Sequence, residues 1–207
     1  MLRVLDGAFA DFVLVPEVAL IRKPANETYE SAALIKLLAG CSKGLIEYSQ
    51  LRLGEDLVII GAGSIGMLAT MVAARAGAGV VIVASIDDWH LQLAARRGAT
   101  HLVNSAKVEA KQAAYGILPE GHDAVFEESG RLTAEQLAFD LCRPGTRINE
   151  FGVTTAGTIT VSPSDLHWEE TRVDASFSVH PAAMSNPCAS SKRGWWTRRV
   201  SSRTGSR

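Results

Sequence analysis

Residues 57–66 read Leu57-Val-Ile-Ile-Gly-Ala-Gly-Ser-Ile-Gly66: four apolar residues, then three glycines in G-x-G-x-x-G spacing. The spacing fits a buried strand turning directly into a helix. Gly61 permits the tight turn, Gly63 removes a side chain so that backbone can approach a pyrophosphate, and Gly66 lets the helix pack on the sheet. The amides of Ser64 and Ile65 then open the helix, whose positive end favours an anion. Alone such a motif is weak, because glycines also gather at strand–helix turns for steric reasons. Here strand, motif, helix and a second strand follow in the order that dinucleotide binding requires.

The pattern repeats outward from this unit. Extended runs at Leu57–Ile60, Val80–Ala84, His101–Val103, Ala124–Glu127, Arg147–Phe151 and Val173–Ser178 alternate with helical runs at Ser64–Ala76, Asp88–Arg97, Lys107–Tyr115 and Leu132–Leu141. Strands alternating with helices of this length predict an α/β fold, a doubly wound parallel sheet of the Rossmann type covered on both faces. Upstream, helical spacing runs from Tyr29 to about Ser49, and two extended patterns separated by Pro16 occupy residues 8–21. Three units are therefore expected: a short β-rich segment over residues 1–28, the nucleotide-binding domain over 29–180, and a disordered basic tail over 181–207.

An acid about 20 residues beyond the third glycine commonly holds the adenosine ribose. That place is taken by Ser85, with Asp87 and Asp88 just beyond it. A serine does not repel a 2′-phosphate, so both NAD and NADP remain open. Either aspartate could reach the ribose; equally, both could cap the following helix.

The composition sets further limits. The 207 residues carry a formal net charge of −1, with 47% hydrophobic and 21% charged residues. Six basic residues and no acid lie in 192–207, so residues 1–191 hold 15 basic against 22 acidic residues, a net of −7. An acidic body argues against nucleic acid as a partner, and the tail is too short and aperiodic to be a strong RNA or membrane contact. Asp6 and Asp11 interrupt any signal-like core, and the longest near-apolar stretch, Leu57 to Thr70, is too short to span a bilayer. Three scattered cysteines, Cys41, Cys142 and Cys188, suggest neither a disulfide framework nor a zinc knuckle, and fit a reducing, cytoplasmic setting.

The order of motifs from Gly7 to His180 resembles the medium-chain, zinc-type alcohol dehydrogenase family, in particular its polyol and threonine dehydrogenase branch. The resemblance is carried by G-A-F-A-D-F-V-L-V-P, E-S-A-A-L, G-A-G-S-I-G and L-A-A-R-R-G-A-T-H-L-V-N. It continues through D-A-V-F-E-E-S-G, R-P-G-T-R-I-N-E-F-G-V and V-S-P-S-D-L-H-W-E-E. It implies a nicotinamide dinucleotide, NAD or NADP, across the carboxyl ends of the strands. Gly61, Gly63, Ser64, Ile65 and Gly66 would cradle the pyrophosphate, and Ser85 and His90 would face the adenosine ribose. Glu128 and Ser129, with Gly152 and Val153, would line the cofactor toward the nicotinamide. Hydride would pass between nicotinamide and a secondary alcohol or polyol, with zinc as Lewis acid.

The departures from the family matter equally. Its zinc ligands begin in an N-terminal domain that is expected to be missing here, and a further zinc-proximal position falls on Lys36, which reads more simply as a solvent-facing helix lysine. The family pattern stops near Asn186, and a frameshift is one expectation for the segment from Pro187 onward. Catalytic residues are not assigned. The family also pairs through its last strand, here around Ala175–Val179, which implies a homodimer. Two other readings stay open: a dinucleotide-binding fragment without dehydrogenase activity, and an S-adenosylmethionine methyltransferase, which shares the glycine-rich first turn but not the later motifs.

Overall fold

The computed structural model describes residues 7–179, and the expected basic tail lies outside them. Six parallel strands form one sheet in the order β3-β2-β1-β4-β5-β6: β1 Leu57–Ile60, β2 Val81–Ser85, β3 His101–Asn104, β4 Ala124–Glu127, β5 Arg147–Glu150 and β6 Arg172–Ala175. The doubly wound sheet is thus observed, with strand order reversing between β1 and β4. Those two strands pair in register from Leu57↔Ala124 to Ile60↔Glu127.

Seven α-helices accompany the sheet: α1 Tyr29–Ala33, α2 Ile35–Ser42, α3 Ser64–Ala76, α4 Asp88–Arg97, α5 Ala110–Ile117, α6 Leu132–Asp140 and α7 Pro163–Trp168. Alternation along β1 divides the interior. Leu57 and Ile59 join Leu38, Cys41, Leu45, Leu68, Met71, Leu91 and Phe126 on one face. Val58 and Ile60 join Ile82, Val103, Ala114, Val125, Leu141 and Ile148 on the other. Each fully buried side chain of this kind contributes about 1.5–3 kcal/mol, and together they explain why the central strands read as continuous apolar runs. Gly77 and Gly98 end α3 and α4 in left-handed conformations, φ +83° and +119°.

Two expectations need correction. Residues 7–28 contain no strand: the extended patterns there run as irregular chain with a single 3₁₀ turn, Glu17–Ala19. Phe9, Phe12, Leu14, Val18 and Leu20 are exposed, and without a neighbouring strand their backbone has no ladder to join. The long helix expected from Tyr29 to Ser49 is three pieces, α1, α2 and a π-helical turn, Lys43–Tyr48. The widened turn presses Gly44 on the sheet. A Cβ there would stand 3.0 Å from the Phe126 ring and 3.1 Å from Asn149 Oδ1. The Gly44 carbonyl accepts from Asn149 Nδ2 at 3.2 Å and from the Ser49 amide at 2.9 Å. Among the described residues, no helix is long and apolar enough to cross a membrane.

Candidate dinucleotide-binding cleft

A cleft of about 820 Å³ opens at the carboxyl ends of β1, β2 and β4, where the strand order reverses. This is the place at which open α/β sheets bind ligands. Its floor is Ile60, Gly61 and Gly63. One wall carries Ser85, Asp87 and His90, and the other Glu128, Ser129 and Arg131.

The glycine turn is as tight as its spacing suggested. Gly61 has φ +111°, and a Cβ at Gly66 would stand 2.2 Å from the Gly61 carbonyl oxygen. No side chain caps α3; its N-cap is Gly63. The anion at this helix end is instead a carboxylate from a distant strand. The Gly63 amide donates to Glu128 Oε1 at 3.1 Å, and the Gly66 amide nearby also favours the charged form of this group. A Cβ at Gly61 would come within 2.5 Å of the same oxygen. Burial pushes the Glu128 carboxyl up to about 7, against the two amides, which favour the charged form; the neighbouring Glu127 adds to the rise.

Glu127 points away from the cleft. Its carboxylate accepts from the Ser129 amide at 2.8 Å, the Ser129 hydroxyl at 2.7 Å and the Gly130 amide at 3.1 Å, folding the loop after β4 back on itself. Burial raises its pKa, and these donors partly oppose the rise. Gly152 belongs to the same knot, since a Cβ there would meet Glu127 Oε2 at 2.3 Å and the Gly130 amide nitrogen at 2.4 Å. Val153 backbone atoms stand against Gly130. Glu127, Glu135 and Glu150 bring one carboxylate oxygen each within 4.8 Å of one another, and burial with this crowding raises Glu150 to about 7.

The opposite wall is governed by caps. Asp87 is the N-cap of α4 and accepts from the His90 amide and from His90 Nδ1, both at 2.8 Å. Asp88 takes Asn104 Nδ2 at 2.5 Å and an ion pair with Lys107. Asp87 therefore does the capping that was one of its two expected roles, whereas Asp88 does not cap the helix and pairs with Asn104 and Lys107 instead. Ser85, the last residue of β2, stays on the cleft wall beside His90. Lys36 lies exposed on α2.

The structure thus gathers Gly61, Gly63, Ser85, His90, Glu128 and Ser129 on one cleft. Ser64, Ile65 and Gly66 open the helix at its floor, and Gly152 and Val153 sit behind Gly130. Sequence reading missed Ser105, Val108 and Arg131 as wall residues. Arg131 had a signal, a lone cation next to E-E-S-G; the other two had none.

A dinucleotide fits this cleft: glycines leave room at the turn, and backbone donors there already hold an anion. Zinc does not fit the described residues. Their one close group of potential ligands is the set of three carboxylates, a hard all-oxygen set unlike the thiolate and imidazole donors that zinc enzymes use.

Comparison with known proteins is consistent with this geometry. Residues 64–190 match the family model described as zinc-binding dehydrogenase. L-threonine 3-dehydrogenase of Xanthomonas axonopodis pv. citri is 32% identical over 152 residues, covering 73% of this chain and 44% of that protein. A structure described as a zinc-binding dehydrogenase from Sinorhizobium meliloti bound to NADP aligns with TM-score 0.75 and 26% identity, over 81% of this chain and 51% of the other. An alcohol dehydrogenase from Thermus sp. ATN1 aligns with TM-score 0.80 and 25% identity, over 88% and 53%. The chain spans less than half the length of the curated relatives it matches.

Proposed function

The chain belongs to the zinc-binding dehydrogenase family, and we propose that it is the cofactor-binding part of an NAD(P)-dependent dehydrogenase acting on a secondary alcohol or polyol. One observation carries the reading: at the switch point of the sheet, a glycine turn presents backbone amides that already bind a carboxylate. Gly61, Gly63 and Gly66 leave space for a diphosphate, and the amides of Ser64 and Ile65 extend the positive helix end toward it. Ser85 and His90 stand where an adenosine ribose would lie. Ser129, with Gly152 and Val153 behind it, flanks the nicotinamide end, whereas the Glu128 carboxylate reaches back to the glycine turn. When bound, the nicotinamide supplies the hydride acceptor or donor; the residues of this chain orient it and shield one of its faces from water.

Ser85 is uncharged, whereas Asp87 on the same wall is held ionised by the His90 amide, so the ribose wall carries one group that accepts a 2′-phosphate and one that opposes it. NADH and NADPH are both candidate ligands. Alcohol turnover by this chain alone is not part of the proposal; binding without turnover is favoured by the all-carboxylate chemistry of its one close ligand group among the described residues. Homodimerisation through β6 is proposed with it.

Titration with NADH and NADPH, followed by nicotinamide fluorescence or calorimetry, tests the proposal. Saturable binding of either supports it, and no binding of either at millimolar concentration overturns it. Alcohol-dependent reduction of NAD(P) by the purified chain would overturn the restriction to binding.

A further inference from the structure

The anion-binding corner of the cleft has an occupant from within the chain. Glu128 lies 65 residues beyond Gly63, yet its carboxylate accepts from the Gly63 amide at 3.1 Å and lies close against Gly66. It lies so close to the turn that Cβ atoms at Gly61, Gly63 and Gly66 would stand 2.5, 3.4 and 2.8 Å from Oε1. The space kept free of side chains by the three glycines is therefore filled by one carboxylate oxygen. A diphosphate needs the same donors, and two anions in a half-buried corner repel each other strongly.

We propose that Glu128 is a resident anion that competes with the dinucleotide diphosphate for the glycine turn, so that binding requires its carboxylate to leave or to take up a proton. The inference rests on the dinucleotide reading and adds an internal control of affinity to it. A protonated Glu128 changes sides: its O–H can donate to a phosphate oxygen, where the carboxylate could only accept.

The groups around Glu128 decide which way it titrates. Glu127 adjoins it on the same strand and opposes its ionisation. The Cys41 thiol faces it from α2, and its own ionisation is suppressed by burial and by Glu128. Asp87, His90 and Glu109 stand on the far wall, with Arg131 at the N-cap of α6 and Asp140 its last residue. Burial holds the Glu128 carboxyl at about 7, and a neighbouring diphosphate would lift it further. The complex therefore binds more protons at this site than the free protein. Affinity is level below about pH 7 and falls as the pH rises above it.

The test measures Kd for NADH from pH 6 to 8.5 on the full chain, the Glu128→Gln variant and the Glu128→Ala variant, each shown to be folded by its melting transition. Adenosine, which carries no phosphate, is the control ligand. The expected result is roughly a tenfold loss of NADH affinity between pH 6.5 and 8 for the parent chain. Either variant should hold a level, tight Kd over that range, with adenosine affinity unchanged throughout. Parallel pH profiles for parent and variants would overturn the competition and leave the dinucleotide reading standing, as would equal gains for adenosine and NADH. No binding of NADH or NADPH by any of the three proteins would overturn the dinucleotide reading itself, and the competition with it.

Discussion

Two pairs of adjacent acids stand at the carboxyl ends of two strands of one sheet, and one member of each, Asp87 and Glu128, lines the cleft on opposite walls. Asp87 and Asp88 follow β2; Glu127 and Glu128 close β4. Asp87 and Asp88 are exposed, and hydrogen bonds from His90, Asn104 and Lys107 hold both carboxyls below the usual range. Glu127 and Glu128 also accept hydrogen bonds, yet burial holds both above that range. A pair of adjacent acids therefore yields two fixed charges after β2 and two proton-binding groups at the end of β4. Solvent decides: Asp87 and Asp88 lie on exposed chain after β2, whereas the glycine turn closes over Glu128 and Gly152 of the loop after β5 closes over Glu127.

The comparison breaks most sharply at Glu127. Glu127→Ala would leave the Ser129 and Gly130 donors without their acceptor, at a cost of about 3–4 kcal/mol in urea unfolding, whereas Glu127→Gln should lose much less. Equal losses for the two variants would mean that the knot does not depend on an acceptor there. Gly152→Ala follows, about 2–3 kcal/mol, because its Cβ would press on Glu127 Oε2 and the Gly130 amide.

The pH dependence of stability comes next in size. Glu128 and Glu150 are carboxyls whose folded values, about 7, exceed the 4.5 of an ordinary glutamate. The folded chain keeps protons that the unfolded chain has released, so each group's favourable share is complete below pH 4.5 and is lost as the pH climbs to 7. His122 works against this slope. Fully buried, with no hydrogen-bond partner for either ring nitrogen, it has its pKa lowered by burial, and its share is lost as the pH falls through the 6.5 of a free histidine. The clean measurement is a difference: Glu150→Gln should flatten the decline between pH 5 and 7 by about 2 kcal/mol relative to the parent chain. An unchanged slope would place the ionised Glu150 in water.

The smallest effect belongs to the other wall. Asp87→Ala removes the α4 cap and should lower the melting temperature by no more than about 3 °C, with no change in its pH slope above pH 5. A large or strongly pH-dependent loss would erase the contrast between the two pairs.

The legible parts of the molecule were those with local causes. The strand β1 and helices α3 and α4 begin and end where apolar runs, glycines and the Asp87 cap placed them. The residues 7–28 failed as strands because alternation names a face but not a neighbour, and no partner strand lies beside them among the described residues. The helix α7 was passed over: six residues starting at Pro163, capped by Ser162, are too short to show a period. Glu128 was named for the cleft through its family position. That its carboxylate meets Gly63 depends on the β1–β4 pairing, which no window of sequence around either residue displays.

Cys41 gives the floor of the cleft a clock. Its thiol is fully buried against α3, with Ile65 O 3.6 Å away, and burial pushes its ionisation far beyond neutral pH. Thiol reagents attack the thiolate. Labelling at Cys41 must therefore wait until α2 lifts from the first turn of α3, and its rate counts those openings. A ligand seated on that turn would slow the count by the free energy it adds to the closed state, so a disulfide reagent and a stopwatch read occupancy of the glycine turn without any optical signal from the ligand.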